Sequence, residues 1–219
     1  MASTDLGIST GKAVFFVLPV LIPKESKQEV SRNENENRVF RHVFLAMMVA
    51  VGVVISPILR VEGMCPMAHF INITVAVLMG PWYSFLCAVL IGVIRMAVMG
   101  IPPLALTGAV FGAALSGIFY KISKGNIWAA VLGEIIGTGI IGAIVSFPVM
   151  ALLWGRNGLT WMFYVPSFFM GTVIGGSIAF VFLTSMQHSG MLLKMQRKLG
   201  GEQNVRETLE SEKTAAAQS

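Results

Sequence analysis

The chain has 219 residues, 55% of them hydrophobic and only 12% charged, with a formal net charge of +5. Soluble domains average about 25% charged residues, and a mean hydropathy of +0.74 carries the apolar character through most of this length. These values exclude a disordered protein, a disulfide scaffold and an ordinary cytosolic enzyme.

The charges sit at the two ends. Between Arg41 and Lys194 there are five basic and two acidic residues. A nucleic-acid partner needs a basic stripe on a folded face, and the central region has none. Residues 1–38 read as a cytoplasmic N-terminal tail, with a short apolar patch at Ala13–Ile22. That patch contains Pro19 and lacks the small-residue cleavage pattern of a signal peptide. Residues 39–187 read as the membrane domain and 188–219 as a C-terminal tail.

A membrane-spanning helix needs about 20 largely apolar residues. Reading the charge-free stretches in order predicts spans over 40–58, 67–80, 82–99, 102–122, 127–153 and 161–186. Gly80-Pro81 divides the second from the third, because proline is a favourable first residue of a helix. Gly100-Ile101-Pro102-Pro103 divides the third from the fourth. The second span is short. The expectation is an all-α integral membrane protein, a six-helix bundle in the cell membrane. The apolar residues lack the period-two alternation of a β-barrel. With the N-terminus inside, both tails, Lys121 and Lys124 lie inside and only Arg60 and Arg156 lie outside. The positive-inside rule therefore places both termini in the cytoplasm.

Small residues recur at helix-contact spacing in Gly108/Gly112, Gly133/Gly137, Gly171/Gly175 and Ala46/Ala50. Each pair allows close backbone approach, either within the bundle or against another membrane protein. The first span is the best candidate for an external contact, since its other residues are smooth and apolar. Cys65 and Cys87 read as small buried hydrophobes, and neither they nor any other cluster forms a metal-ligand pattern.

Arg95 and Glu134 lie inside predicted spans, where a charge costs about 2.5–3.5 kcal/mol. Arg95 is thirteen residues into its helix and Glu134 seven into its own, which separates them by roughly 9 Å of depth at 1.5 Å per residue. Two arrangements remain open. They pair directly, or Arg95 faces an outer pocket while Glu134 braces helices below it. His69 and Asn72 share one helix face at spacing i, i+3. Thr107, Ser146, Trp161 and Tyr164 fall near the outer ends of their spans. Together these eight residues describe a small outward cavity with aromatic walls and few donors, suited to a neutral, flat small molecule. No catalytic motif, phosphate loop or cofactor fingerprint accompanies them.

The segments Gly63–Asn72, Gly80–Tyr83, Arg95–Gly108 and Gly133–Gly139 resemble the ThiW family, substrate-binding S components of energy-coupling factor (ECF) transporters. The resemblance spans roughly residues 40–186. It implies a six-helix S component that captures a thiazole precursor of thiamine, hydroxyethylthiazole, from outside. It also implies docking on a transmembrane coupling protein with two ATPase subunits. The Ala-x-x-x-Ala surface used for docking in such proteins is matched by Ala46 and Ala50. Two other functions compete: a self-sufficient ion-coupled carrier, and a non-transporting membrane assembly protein.

Overall fold

In the computed structural model, the described backbone covers residues 24–57, 64–153, 155, 158 and 160–200, with side chains described from 35 to 199. The patch Ala13–Ile22 and the charges Arg60, Glu62 and Arg156 lie outside the described residues. Phe40–Ser219 forms one compact unit.

The described residues are helical apart from short connections. Helix α1 is Lys24–Ile55, α2 Pro66–Met79, α3 Pro81–Met99 and α4 Leu104–Ile122. Helix α5 runs over Ile127–Leu153, α6 over Val165–His188 and α7 over Met191–Gly200. Five helices are long and apolar enough to cross a bilayer: α1 (from Asn35), α3, α4, α5 and α6. Helix α2 is apolar but has only 14 residues. At 1.5 Å per residue it extends about 21 Å, against a hydrocarbon core of about 30 Å.

The position of α2 explains its length. It contacts α3, α4, α5, α6 and α7, and Ile71, Ile73, Val75 and Ala76 are buried. A helix that is apolar all round belongs in an interior; here neighbouring helices surround it. Gly80 ends it with φ +89°, a backbone conformation open to glycine. Pro81 then starts α3 where no amide hydrogen is needed. The serine hydroxyl of Ser84 donates to the carbonyl of Asn72 at 2.9 Å, tying the two arms of this hairpin together.

Helix α5 is not uniform. Its middle, Ile135–Gly142, is π-helical, with α-helical turns on either side. Gly137 and Gly142 bring this wider segment against α4. A Cβ on Gly137 would lie 2.6 Å from the Gly112 Cα, and one on Gly142 would lie 3.0 Å from the Gly108 carbonyl oxygen. One turn earlier, a Cβ on Gly133 would meet the Leu115 carbonyl oxygen at 2.5 Å. The glycine pairs of α4, α5 and α6 thus all face neighbours within the bundle.

Helix α7 falls within the stretch that reads as a C-terminal tail, yet it packs on the bundle. Leu192 and Leu199 are buried, and the Gln196 amide donates to the Val77 carbonyl at 2.8 Å and to the Tyr120 hydroxyl at 2.9 Å.

Gly133→Ala is expected to destabilise the fold by about 1–3 kcal/mol, the usual cost of overpacking, because the obstructing atoms are backbone. Gly139→Ala, whose Cβ would meet its nearest neighbour at 3.3 Å, is expected to cost less than half of that. Thermal unfolding of the detergent-solubilised variants measures the difference.

Candidate functional site

The polar interior is built around one carboxylate. Glu134 is fully buried near the start of α5. Its Oε1 lies 2.9 Å from His69 Nδ1, 3.0 Å from Asn72 Nδ2 and 3.1 Å from Thr138 Oγ1. His69 and Asn72 stand one turn apart on α2, so the predicted shared face is what meets the carboxylate. Thr138 is one turn further along α5, inside the π segment. Asn72 also donates to the Ala109 carbonyl of α4 at 3.2 Å. One oxygen therefore joins α2 to α5, and Asn72 extends the link to α4. Oε2 of Glu134 has no hydrogen-bond partner among the described residues.

Glycines make the room. A Cβ on Gly112 would strike Thr138 Oγ1 and come within 2.8 Å of the Glu134 carboxyl carbon. A Cβ on Gly171 would lie 3.4 Å from His69 Nε2, and one on Gly175 would lie 2.9 Å from the His69 Cβ. The small-residue spacing of α4 and α6 shapes the space that holds the polar side chains.

Beside this cluster is a cavity of about 370 Å³. His69, Arg95, Cys65 and Thr138 supply its polar or polarisable lining, and Ala68, Ile101, Leu104, Met150 and Phe168 its apolar walls. Arg95 is 3% exposed. Its Nη2 lies 3.8 Å from Cys65 Sγ, a weak acceptor, and its Nε has no partner among the described residues. Arg95 and Glu134 do not pair. Arg95 instead lines the cavity, and Glu134 braces the helices beside it.

The other predicted site residues divide. Asn72 and Glu134 are joined to His69 but do not line the cavity. The hydroxyls of Thr107 and Ser146 bond to each other at 2.7 Å, and Ser146 also donates to the Gly142 carbonyl at 2.6 Å. They join α4 to α5 outside the cavity lining. Tyr164 is buried and packs on Phe168, which forms part of the wall. Trp161 is 58% exposed and packs on Phe147, away from the cavity. Reading the sequence missed Cys65, Thr138 and Phe168. Thr138 carried a signal, being a lone polar residue one helical turn from a membrane carboxylate. Cys65 and Phe168 carried none that separates a cavity wall from ordinary packing.

A family model described as thiamine-precursor transporter protein (ThiW) matches residues 42–189. The chain belongs to the ThiW family. The match contains the whole cavity, the Glu134 cluster and α2 to α6. No curated protein and no solved structure matches the chain. ThiW proteins are transporters rather than enzymes, and with five helices able to cross a bilayer this one is a multi-pass membrane protein.

Within this ThiW fold, Asn72→Leu removes two hydrogen bonds and leaves both Glu134 and the Ala109 carbonyl short of a donor. Stranding buried acceptors costs about 1–3 kcal/mol each, so the variant is expected to unfold at clearly lower temperature in detergent. Thr107→Val, at the edge of the bundle, is expected to shift unfolding by less than half as much.

Proposed function

We propose that this ThiW protein is the substrate-capturing S component of an ECF-type importer and that its substrate is hydroxyethylthiazole. The cavity beside Glu134 carries this reading. Its volume lies in the range of small-molecule sites, about 300–1,000 Å³, and its mostly apolar walls suit a flat heteroaromatic ring. Two polar side chains, His69 and Arg95, are placed to bind the few heteroatoms of such a molecule. The eight-residue site read from the sequence narrows, in this proposal, to His69 and Arg95 as direct contacts. Glu134, itself bonded to Asn72 and Thr138, holds His69, and Tyr164 backs the wall.

Charge supports the direction of capture. The cavity is lined by Cys65, Ile101 and Pro102, residues of the α1–α2 and α3–α4 connections. Lys121, Lys124 and the basic residues of α7 lie at the other end of the helices. The positive-inside rule puts that basic end in the cytoplasm, so both termini are inside, the cavity faces out, and α2 counts as the sixth membrane helix.

In this reading partner ATPases supply the energy for transport through a coupling protein, in keeping with a chain that has no nucleotide-binding motif of its own. Helix α1 offers the docking surface. Phe44, Leu45 and Val49 are buried against the bundle, whereas Ala46 and Ala50 are exposed and line a shallow apolar groove with Leu90 and Ile94 of α3.

The purified protein is expected to bind hydroxyethylthiazole without partners, and to import it in liposomes only with the coupling protein and ATPases present. Uptake by the lone protein under a proton gradient would support the ion-coupled carrier instead, with Glu134 as its proton site. Ala46→Trp or Ala50→Trp is expected to abolish uptake at unchanged affinity. An equal loss of affinity would place α1 in the pocket wall. Arg95→Ala is expected to weaken equilibrium binding about tenfold or more, the scale of losing a charge-assisted hydrogen bond.

A further inference from the structure

The hydrogen bonds around Glu134 determine which way each ring nitrogen of His69 works. The Ala109 carbonyl can only accept, so the atom of Asn72 facing it is the amide nitrogen. The same nitrogen is 3.0 Å from Glu134 Oε1, which therefore accepts there. Thr138 donates to that oxygen as well. A carboxyl hydroxyl oxygen is a poor acceptor, so the oxygen that receives both donors is a carboxylate or carbonyl oxygen with no hydrogen to give, and His69 Nδ1 holds the hydrogen of the 2.9 Å bond between them. In the neutral ring the opposite atom, Nε2, is then a bare acceptor. No described residue forms a hydrogen bond with Nε2, and His69 lines the cavity. Arg95 contributes the opposite property. It offers only donors, its Nε is unpartnered, and it lines the same cavity.

We infer that Glu134 is a positioning residue for substrate selection: by holding His69 as an acceptor, it makes the cavity select a ligand with a hydroxyl donor at one end and a ring acceptor at the other. This rests on the proposal that the cavity binds a thiazole. The hydroxyl donates to His69 Nε2, and Arg95 donates to the ring nitrogen. A ligand whose hydroxyl is capped leaves Nε2 unsatisfied. A phosphate ester places an anion against a lone pair backed by a carboxylate.

Three probes test this by calorimetry on the full chain in detergent: hydroxyethylthiazole, its O-methyl ether and its phosphate monoester. The alcohol is expected to bind about tenfold or more tighter than either analogue, the effect of one unsatisfied buried acceptor. Glu134→Gln, whose amide oxygen can replace Oε1, is expected to keep this preference. Glu134→Leu is expected to reduce it to within threefold. Arg95→Leu is expected to weaken alcohol and ether alike and leave their ratio unchanged. Should Glu134→Leu fail to fold, the wild-type ratio and the Glu134→Gln ratio still decide. Equal binding of alcohol and ether by the wild type overturns the inference and leaves the thiazole site standing, as does tighter binding of the phosphate. Loss of preference in Glu134→Gln, or its retention in Glu134→Leu, overturns the role given to Glu134. Failure of all three probes to bind removes the thiazole reading and this inference together.

Discussion

One carboxylate oxygen holds the interior of this protein together. In a bilayer, neighbouring helices gain no hydrophobic energy by associating, so close packing and interhelical hydrogen bonds must keep them in register. Glu134 Oε1 gathers donors from two positions on α2 and one on α5, and Asn72 extends the link to α4. Much of the remaining architecture follows from making room for it. Gly112 removes a side chain where the carboxylate sits, Gly171 and Gly175 do the same around His69, and the π segment of α5 carries Thr138 back to its own Glu134. A buried charge alone would be a liability; surrounded by donors it fixes the relative position of three helices.

The same arrangement divides labour between the two membrane charges. Glu134 is satisfied by protein on one oxygen and lies behind the cavity wall. Among the described residues Arg95 bonds to a cysteine sulfur alone, and it opens onto the cavity. A guanidinium left short of acceptors at 3% exposure is costly, and a site meant for a ligand is where such a cost has a use. Pairing the two charges would have stabilised the empty protein and removed the donor from the pocket.

Much of the fold was legible in the sequence because hydropathy and turn residues report directly on membrane helices. Gly80-Pro81 and the Gly100–Pro103 run mark the breaks at both ends of α3, and α4 and α5 start close to their expected positions. The shared face of His69 and Asn72 was legible from spacing. Their partner was not, since depth along a helix says nothing about rotation around it. The π segment was invisible for a related reason: widening a helix by a fraction of a turn leaves its hydropathy unchanged. Helix α7 was hidden by Lys194, Arg197 and Lys198, which lower the average even though Leu192, Gln196 and Leu199 fall on one face. Trp161 and Tyr164 show the limit of aromatic residues near helix ends, which serve the lipid boundary, the wall or its backing with no difference in sequence.

The shortness of α2 has a consequence for how the chain is made. During synthesis α2 reaches the membrane before α4, α5 and α6 exist to surround it. With 14 residues that include His69 and Asn72, it is a poor independent inserter: Asn72 can meet the Ala109 carbonyl once α4 is made, but the partner of His69 is Glu134, which emerges 62 residues after Asn72. The hairpin closed at Gly80 lets the longer α3, with 19 residues, carry it across. The central helix of the finished bundle is thus a guest during assembly, held in place only when the fifth helix arrives.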